Sequence, residues 1–169
     1  MLPEDLIKHN PEPYAKGKRG LIYTFKKGNK RIAIKIKNPK SKAENRIQNE
    51  IYFLKILNKY GIGPKLLSHE RDYFCYEFIE GKNINQYIKE NKKIPKTILN
   101  NIMKQCKTMD KLKINKEEMH RPLKNVIIKN NKPVLLDFER CHFTHRPKNV
   151  NQFKQFLRGY YYAIRNDRN

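Results

Sequence analysis

Two short β-rich runs, Leu21–Phe25 and Arg31–Lys37, flank Lys-Lys-Gly-Asn-Lys, in which Gly28-Asn29 supplies hairpin-turn chemistry. In the second run Ile32, Ile34 and Ile36 alternate with Ala33 and Lys35, the period of a strand with two distinct faces. From Tyr14 to Lys37 the pattern is therefore strand, turn, strand. Over residues 41–59 the period becomes helical, with Ile47, Ile51, Leu54 and Leu57 on one stripe, and Gly61-Ile62-Gly63-Pro64 breaks it. The run 72–81 predicts a strand ending in a turn at Gly81. Ile84, Tyr87 and Ile88 predict a short helix, and Pro95 a first-turn residue of a longer one marked by Ile98, Leu99, Ile102, Met103, Cys106 and Met109. A hairpin follows, its arms Val126–Ile128 and Pro133–Leu136 joined through Lys-Asn-Asn-Lys. A last helix carries Val150, Phe153, Phe156, Leu157, Tyr160 and Ile164. Residues 1–13, rich in proline and charge, read as a short helix or an arm. The fold class is α+β, strand-rich to about residue 80 and helix-rich beyond it.

Length and charge narrow the picture. A chain of 169 residues is one domain, or two small lobes sharing one ligand cleft. The formal charge of +22 points to anionic partners such as nucleotides, RNA, an acidic protein or a ribosomal surface. The alternative is a lysine-rich surface set by overall composition, since the lysines are spread along the chain. Three cysteines without framework spacing (Cys75, Cys106, Cys141) fit a reducing cytoplasm. Cys141, His142 and His145 have no second ligand pair at useful spacing, which argues against zinc. No stretch approaches the ~20 apolar residues of a spanning helix, so no membrane partner is expected.

Several residues carry candidate chemistry. Gly17 and Gly20 lie in a turn between strands, where glycines let backbone N–H groups approach phosphate oxygens or simply form a hairpin turn. Ala33 beside Lys35 on one strand face leaves room for a flat ring and supplies a cation for phosphates; the alternative is a solvated face continued by Arg31 and Lys37. Glu50 borders the buried stripe of its helix, where a carboxylate needs a partner, and Lys35 on the preceding strand is the available one. Asn125 and Asp137 are symmetric about Asn131, so the hairpin is expected to set them opposite each other with Cβ atoms roughly 5 Å apart. Hard oxygen ligands placed there suit Mg²⁺, or else form a hydrogen-bonded pair that closes the hairpin.

Taken in order, these pieces resemble the protein-kinase-like fold from Tyr14 to about Ile164, and among its members the atypical minimal ones, the RIO kinases and the small KEOPS-associated kinase of archaea. Gly17 and Gly20 match the last two glycines of the Gly-rich loop, with Ala15 in place of the first, and Ala33-Ile34-Lys35 matches the Val-Ala-Ile-Lys strand. Glu50 resembles the helix glutamate that holds that lysine. Tyr76 falls at the gatekeeper position, with backbone groups of Glu77 and Ile79 toward adenine. Leu136-Asp137-Phe138-Glu139 stands where Asp-Phe-Gly is expected, and Asn125 where the second Mg²⁺ ligand is expected. The resemblance implies a bilobal fold, with a small antiparallel-sheet N-lobe (1–80) and a reduced, mainly helical C-lobe (81–169) containing the metal-binding hairpin. It implies ATP and Mg²⁺ as cofactors and serine/threonine phosphotransfer to a protein or small-molecule acceptor in the cytoplasm. The alternative it leaves is a catalytically weak pseudokinase or ATPase acting as a nucleotide-gated module on RNA or ribonucleoprotein.

The catalytic loop departs from the family pattern. Lys116–Met119 aligned with His-Gly-Asp-Leu puts Glu118 at the acidic position with two residues inserted before Asn125, whereas a gapless count back from Asn125 reaches His120. Either could accept the proton of an acceptor hydroxyl, Glu118 the better placed because it keeps a carboxylate; the alternative is that both are plain surface residues. The segment from Lys148 to Leu157 is similar to the family's helix after a short activation segment, with Asn151 replacing its usual acidic residue. No Ala-Pro-Glu motif is visible.

Overall fold

The computed structural model describes residues 2 and 4–166, and it is α+β. The chain divides into two compact units, Met1–Phe78 and Ile79–Asn169. No helix among the described residues is long and apolar enough to cross a membrane.

In the first unit α1 (Glu4–Ile7) precedes β1 (Glu12–Lys16), β2 (Gly20–Lys27), β3 (Lys30–Lys37), α2 (Arg46–Asn58), β4 (Leu66–His69) and β5 (Tyr73–Glu77). The five strands form one antiparallel sheet in the order β1-β2-β3-β5-β4. Of the short helix or arm expected over residues 1–13, the helix is present as the single turn α1, and the edge strand β1 already begins at Glu12. β1 is exposed along its whole length, so it carries no inward stripe that a periodicity reading would find.

Central strand β3 is read correctly by its alternation. Ile32, Ile34 and Ile36 bury one face together with Phe25, Cys75 and Leu6 of α1. On the other face Ala33 lies between Thr24 and Tyr76, and Lys35 between Ile22 and Phe74. Thr24, Ala33, Phe74 and Tyr76 are all buried, which rules out a solvated face continued by Arg31. The helix stripe Ile47, Ile51, Leu54 and Leu57 is buried too, and α2 ends where Gly61 adopts a positive φ. Edge strand β4 has no alternating pattern to betray it.

The second unit contains β6 (Lys82–Asn83), α3 (Ile84–Asn91), α4 (Lys96–Lys111), β7 (Ile114–Asn115), β8 (Val126–Lys129), β9 (Lys132–Leu135), β10 (His142–Phe143) and α5 (Asn149–Asn166). Its strands form a three-stranded sheet, β6-β8-β9, and a two-stranded ribbon, β10-β7. Asn83 caps α3 reciprocally with Gln86. Pro95 stands one residue before α4, at the cap, instead of inside its first turn. Ile98, Leu99, Ile102, Cys106 and Met109 are buried on α4, and Phe153 and Tyr160 on α5.

The β8–β9 hairpin corrects the expected register. Val126 faces Leu135 and Lys129 faces Lys132, so the turn is the two-residue Asn130-Asn131, both with positive φ. That is the turn type whose twist matches a hairpin. Asn125 consequently lies opposite Leu136, whose N–H it accepts at 2.8 Å, and not opposite Asp137. Centring the turn on Asn131 displaced the register by one residue, enough to exchange the two faces of a strand.

Candidate functional site

The first unit assembles its candidate residues around Lys35. Its Nζ donates to Glu50 Oε2 at 2.5 Å, and the two side chains are only 12% and 5% exposed. Strand β3 aims the lysine at the same face as Ala33, while the α2 stripe carries Glu50 inward. Because the carboxylate is buried, the helix position that looked energetically awkward in sequence is explained by this cation. Gly17 donates its N–H to the Gly20 carbonyl at 2.9 Å, closing the β1–β2 turn. A Cβ at Gly20 would stand 3.0 Å from Lys35 Cε and 3.4 Å from the Ile36 carbonyl oxygen, so glycine lets the turn settle on the lysine stem. Asn38 fixes the same turn from below by donating to the Gly17 carbonyl at 2.9 Å.

Tyr76 is buried on this face, and burial pushes its phenol above the ordinary range against the opposing pull of Lys35. It is therefore neutral at physiological pH. The Glu77 N–H is committed to the Lys65 carbonyl at 2.9 Å, so any contact of Glu77 with a base falls to its own carbonyl. Arg31 lies over Phe78 (4.4 Å to the ring centroid) and Tyr14 (5.4 Å), and bonds Thr24 Oγ1 at 2.9 Å. This aromatic clamp at the end of the Ala33–Lys35 face has no motif signature.

The second unit presents oxygen donors after its hairpin. Asp137 adopts φ 63°, a left-handed conformation uncommon outside glycine, immediately after the last paired residues. Its carboxylate and that of buried Glu139 have oxygens within 4.8 Å of each other. Two hard anionic donors at that separation fit Mg²⁺ or Mn²⁺. Glu139 was missed in sequence because the family pattern has glycine near that point; the Asp-x-Glu spacing was the available signal. Asn125 sits half-buried just before β8.

The loop between β7 and β8 is anchored by side chains that motif matching did not single out. Asn149 at the start of α5 is fully buried; its Oδ1 accepts the Lys116 N–H at 2.8 Å and its Nδ2 donates to the Ile114 carbonyl at 2.6 Å. Gln152 accepts the Met119 N–H at 2.9 Å. Asn151, the residue expected in the family's acidic position, is instead exposed. Spacing on one helical face, i and i+3, is what distinguishes Asn149 and Gln152 from it. Lys116 is buried, with Nζ 5.3 Å above the Phe138 ring centroid.

Glu117 and Glu118 both have positive φ, 68° and 58°. Glu118 pairs with Arg140 Nη1 at 2.6 Å, both side chains being about two-fifths exposed. Glu117 accepts from Asn115 Nδ2 at 3.0 Å. His120 is half-exposed. All three cysteines are buried.

No protein-family model matches this chain, and no curated protein matches it.

Proposed function

We propose that the protein is an ATP- and Mg²⁺-dependent phosphotransferase of the atypical serine/threonine kinase type, with a bilobal kinase-like fold. The observation that carries this reading is the buried Lys35–Glu50 pair, with the Gly17–Gly20 turn packed on the lysine stem. A lysine held by a carboxylate beside a glycine turn is what gripping the α- and β-phosphates of a nucleotide requires. In this reading Glu50 orients Lys35, while Ala33 and the backbone of Glu77 and Ile79 contact adenine. Asp137, with Asn125 and the neighbouring Glu139, holds Mg²⁺, which supplies charge neutralisation for the phosphates when bound. Glu118 meets the acceptor hydroxyl; its ion pair with Arg140 is a surface one and cheap to break. The acceptor is a serine or threonine of this chain or of a cytoplasmic partner.

The test is transfer from γ-labelled ATP to protein, together with thermal unfolding in ATP with and without Mg²⁺. Nucleotide at about 100 times its Kd adds about 2.7 kcal/mol, which raises the midpoint by about 5–10 °C for a chain of this size. Transfer is expected to vanish in Lys35→Met and Asp137→Ala. Wild-type transfer by Asp137→Ala would remove the metal assignment, and a midpoint indifferent to ATP would remove the nucleotide reading altogether.

A further inference from the structure

Helix α5 buries Asn149, Phe153 and Tyr160 along one stripe and turns a very different one outward. Lys154, Arg158, Tyr161, Tyr162 and Arg165 are all exposed, and at 3.6 residues per turn they fall within an arc of about 100°. Tyr161 is 42% exposed and Tyr162 69%. No aspartate or glutamate occurs between Asn149 and Asn166. Lysine outnumbers arginine in the chain as a whole, yet two of the three cations on this face are arginines. Exposed tyrosines also occur near the lysines of α2, at Tyr52 and Tyr60, but on α5 two adjacent rings share one arc with two arginines.

At its C-terminal end the stripe runs into a cavity of about 490 Å³. Its lining includes Lys93 and Lys96, Tyr161 and Arg165 of α5, and the buried Ile94 and Tyr160. The Tyr160 hydroxyl is already used, accepting the Ile94 N–H at 2.5 Å, which ties α5 to the segment before α4. The cavity therefore offers apolar surface edged by positive charge, a shape that takes a planar ring attached to an anion.

We propose that this face of α5 binds single-stranded RNA. Lys154, Arg158 and Arg165 would meet successive backbone phosphates, and Tyr161 and Tyr162 would stack on unpaired bases. The exposed amides of Asn151 and Gln155, on the same side of the helix, are placed to address 2′-hydroxyls. An acidic polypeptide would satisfy the cations and leave the rings idle, and a duplex would hide its base faces from them. This site is independent of the phosphotransfer reading, since every residue in it lies outside the groups assigned to nucleotide and metal.

The experiment is fluorescence anisotropy of the full chain with a labelled oligo-uridine of ~12 nucleotides, titrated across a range of salt. Tyr161→Ala/Tyr162→Ala is expected to weaken binding by tenfold or more, while Tyr161→Phe/Tyr162→Phe retains it, because stacking needs the ring and not the hydroxyl. Arg158→Gln/Arg165→Gln should lower the slope of log affinity against log salt by about 1.4, at roughly 0.7 per phosphate on single strands. Lys55→Gln/Lys59→Gln, an equal charge change on α2 and its C-cap, should leave both tyrosine dependence and affinity near wild type. The proposal is overturned if the double alanine variant binds as tightly as wild type, or if the α2 variant loses as much as the arginine variant. Polyglutamate competing as well as RNA would replace it with an acidic-protein site, and equal affinity for DNA of the same length would remove the 2′-hydroxyl assignment.

Discussion

The ammonium of Lys35 and the carboxylate of Glu50 meet where neither keeps much hydration, so their attraction has to offset two desolvation costs. Lys35→Met removes the cation 2.5 Å from a buried carboxylate and should destabilise the chain by about 3 kcal/mol in urea unfolding. Adding Glu50→Leu to that variant should recover part of the loss; a double variant less stable than the single one would show that Glu50 is held chiefly by other groups. Cys106 gives a second test. Burial, reinforced by Asp110, pushes its thiol from 9.0 up to about 12, so the folded state favours the protonated form. Its contribution is complete below pH 9 and is lost as pH rises toward 12. Stability should therefore fall across that window, and Cys106→Ala should flatten the fall by up to one proton whatever its baseline cost. Of the candidate residues, the Lys35–Glu50 pair was legible because a carboxylate on a buried stripe demands a cation. Glu139, Asn149 and Gln152 were not, because their roles depend on contacts between segments distant in sequence, which the Asp-x-Glu and i, i+3 spacings alone do not disclose. Tyr14 of β1 and Phe78, just after β5, likewise meet Arg31 from segments far apart in sequence.

Among the elements, those with a full inward stripe declared themselves: β3, α2, α4 and α5 all follow the apolar period that predicts them. Among those that did not are β1 and β4, edge strands that pair with β2 and β5, and the two-residue strands β6, β7 and β10, too short to show a period. The hairpin shows how little separates a correct element from a wrong register, since two left-handed asparagines in place of a turn centred on one of them shift every partner. Gly81 tests the other half of the same sheet. A Cβ there would lie 2.4 Å from the Ile128 carbonyl oxygen and 2.8 Å from Ile127 Cγ2, so Gly81→Ala must push β6 away from β8. A loss of about 2 kcal/mol is expected, by the usual cost of overpacking. An alanine variant of unchanged stability would mean that the strand pair opens without penalty.

Over the whole molecule the charge of +22 works against compactness, since like charges repel most where salt does not screen them. Raising ionic strength from ~0.01 M to ~0.15 M shortens the screening length from about 30 Å to about 8 Å, and the thermal midpoint should rise with it. A midpoint insensitive to salt would indicate that the cations are already neutralised by neighbours. One junction bears on how the second unit holds together under that strain. The Asp110 carboxylate accepts from the Asn149 N–H, the Asn149 amide and the Val150 N–H, while Asn149 also holds Lys116 and Ile114. Undoing any of these bonds exposes the others, so the amide protons of Lys116, Asn149 and Val150 should trade for deuterium as one slow set. The far end of α5 then has a fixed root, and whatever its outward rings and guanidinium groups touch would feel a rigid lever instead of a fraying tail.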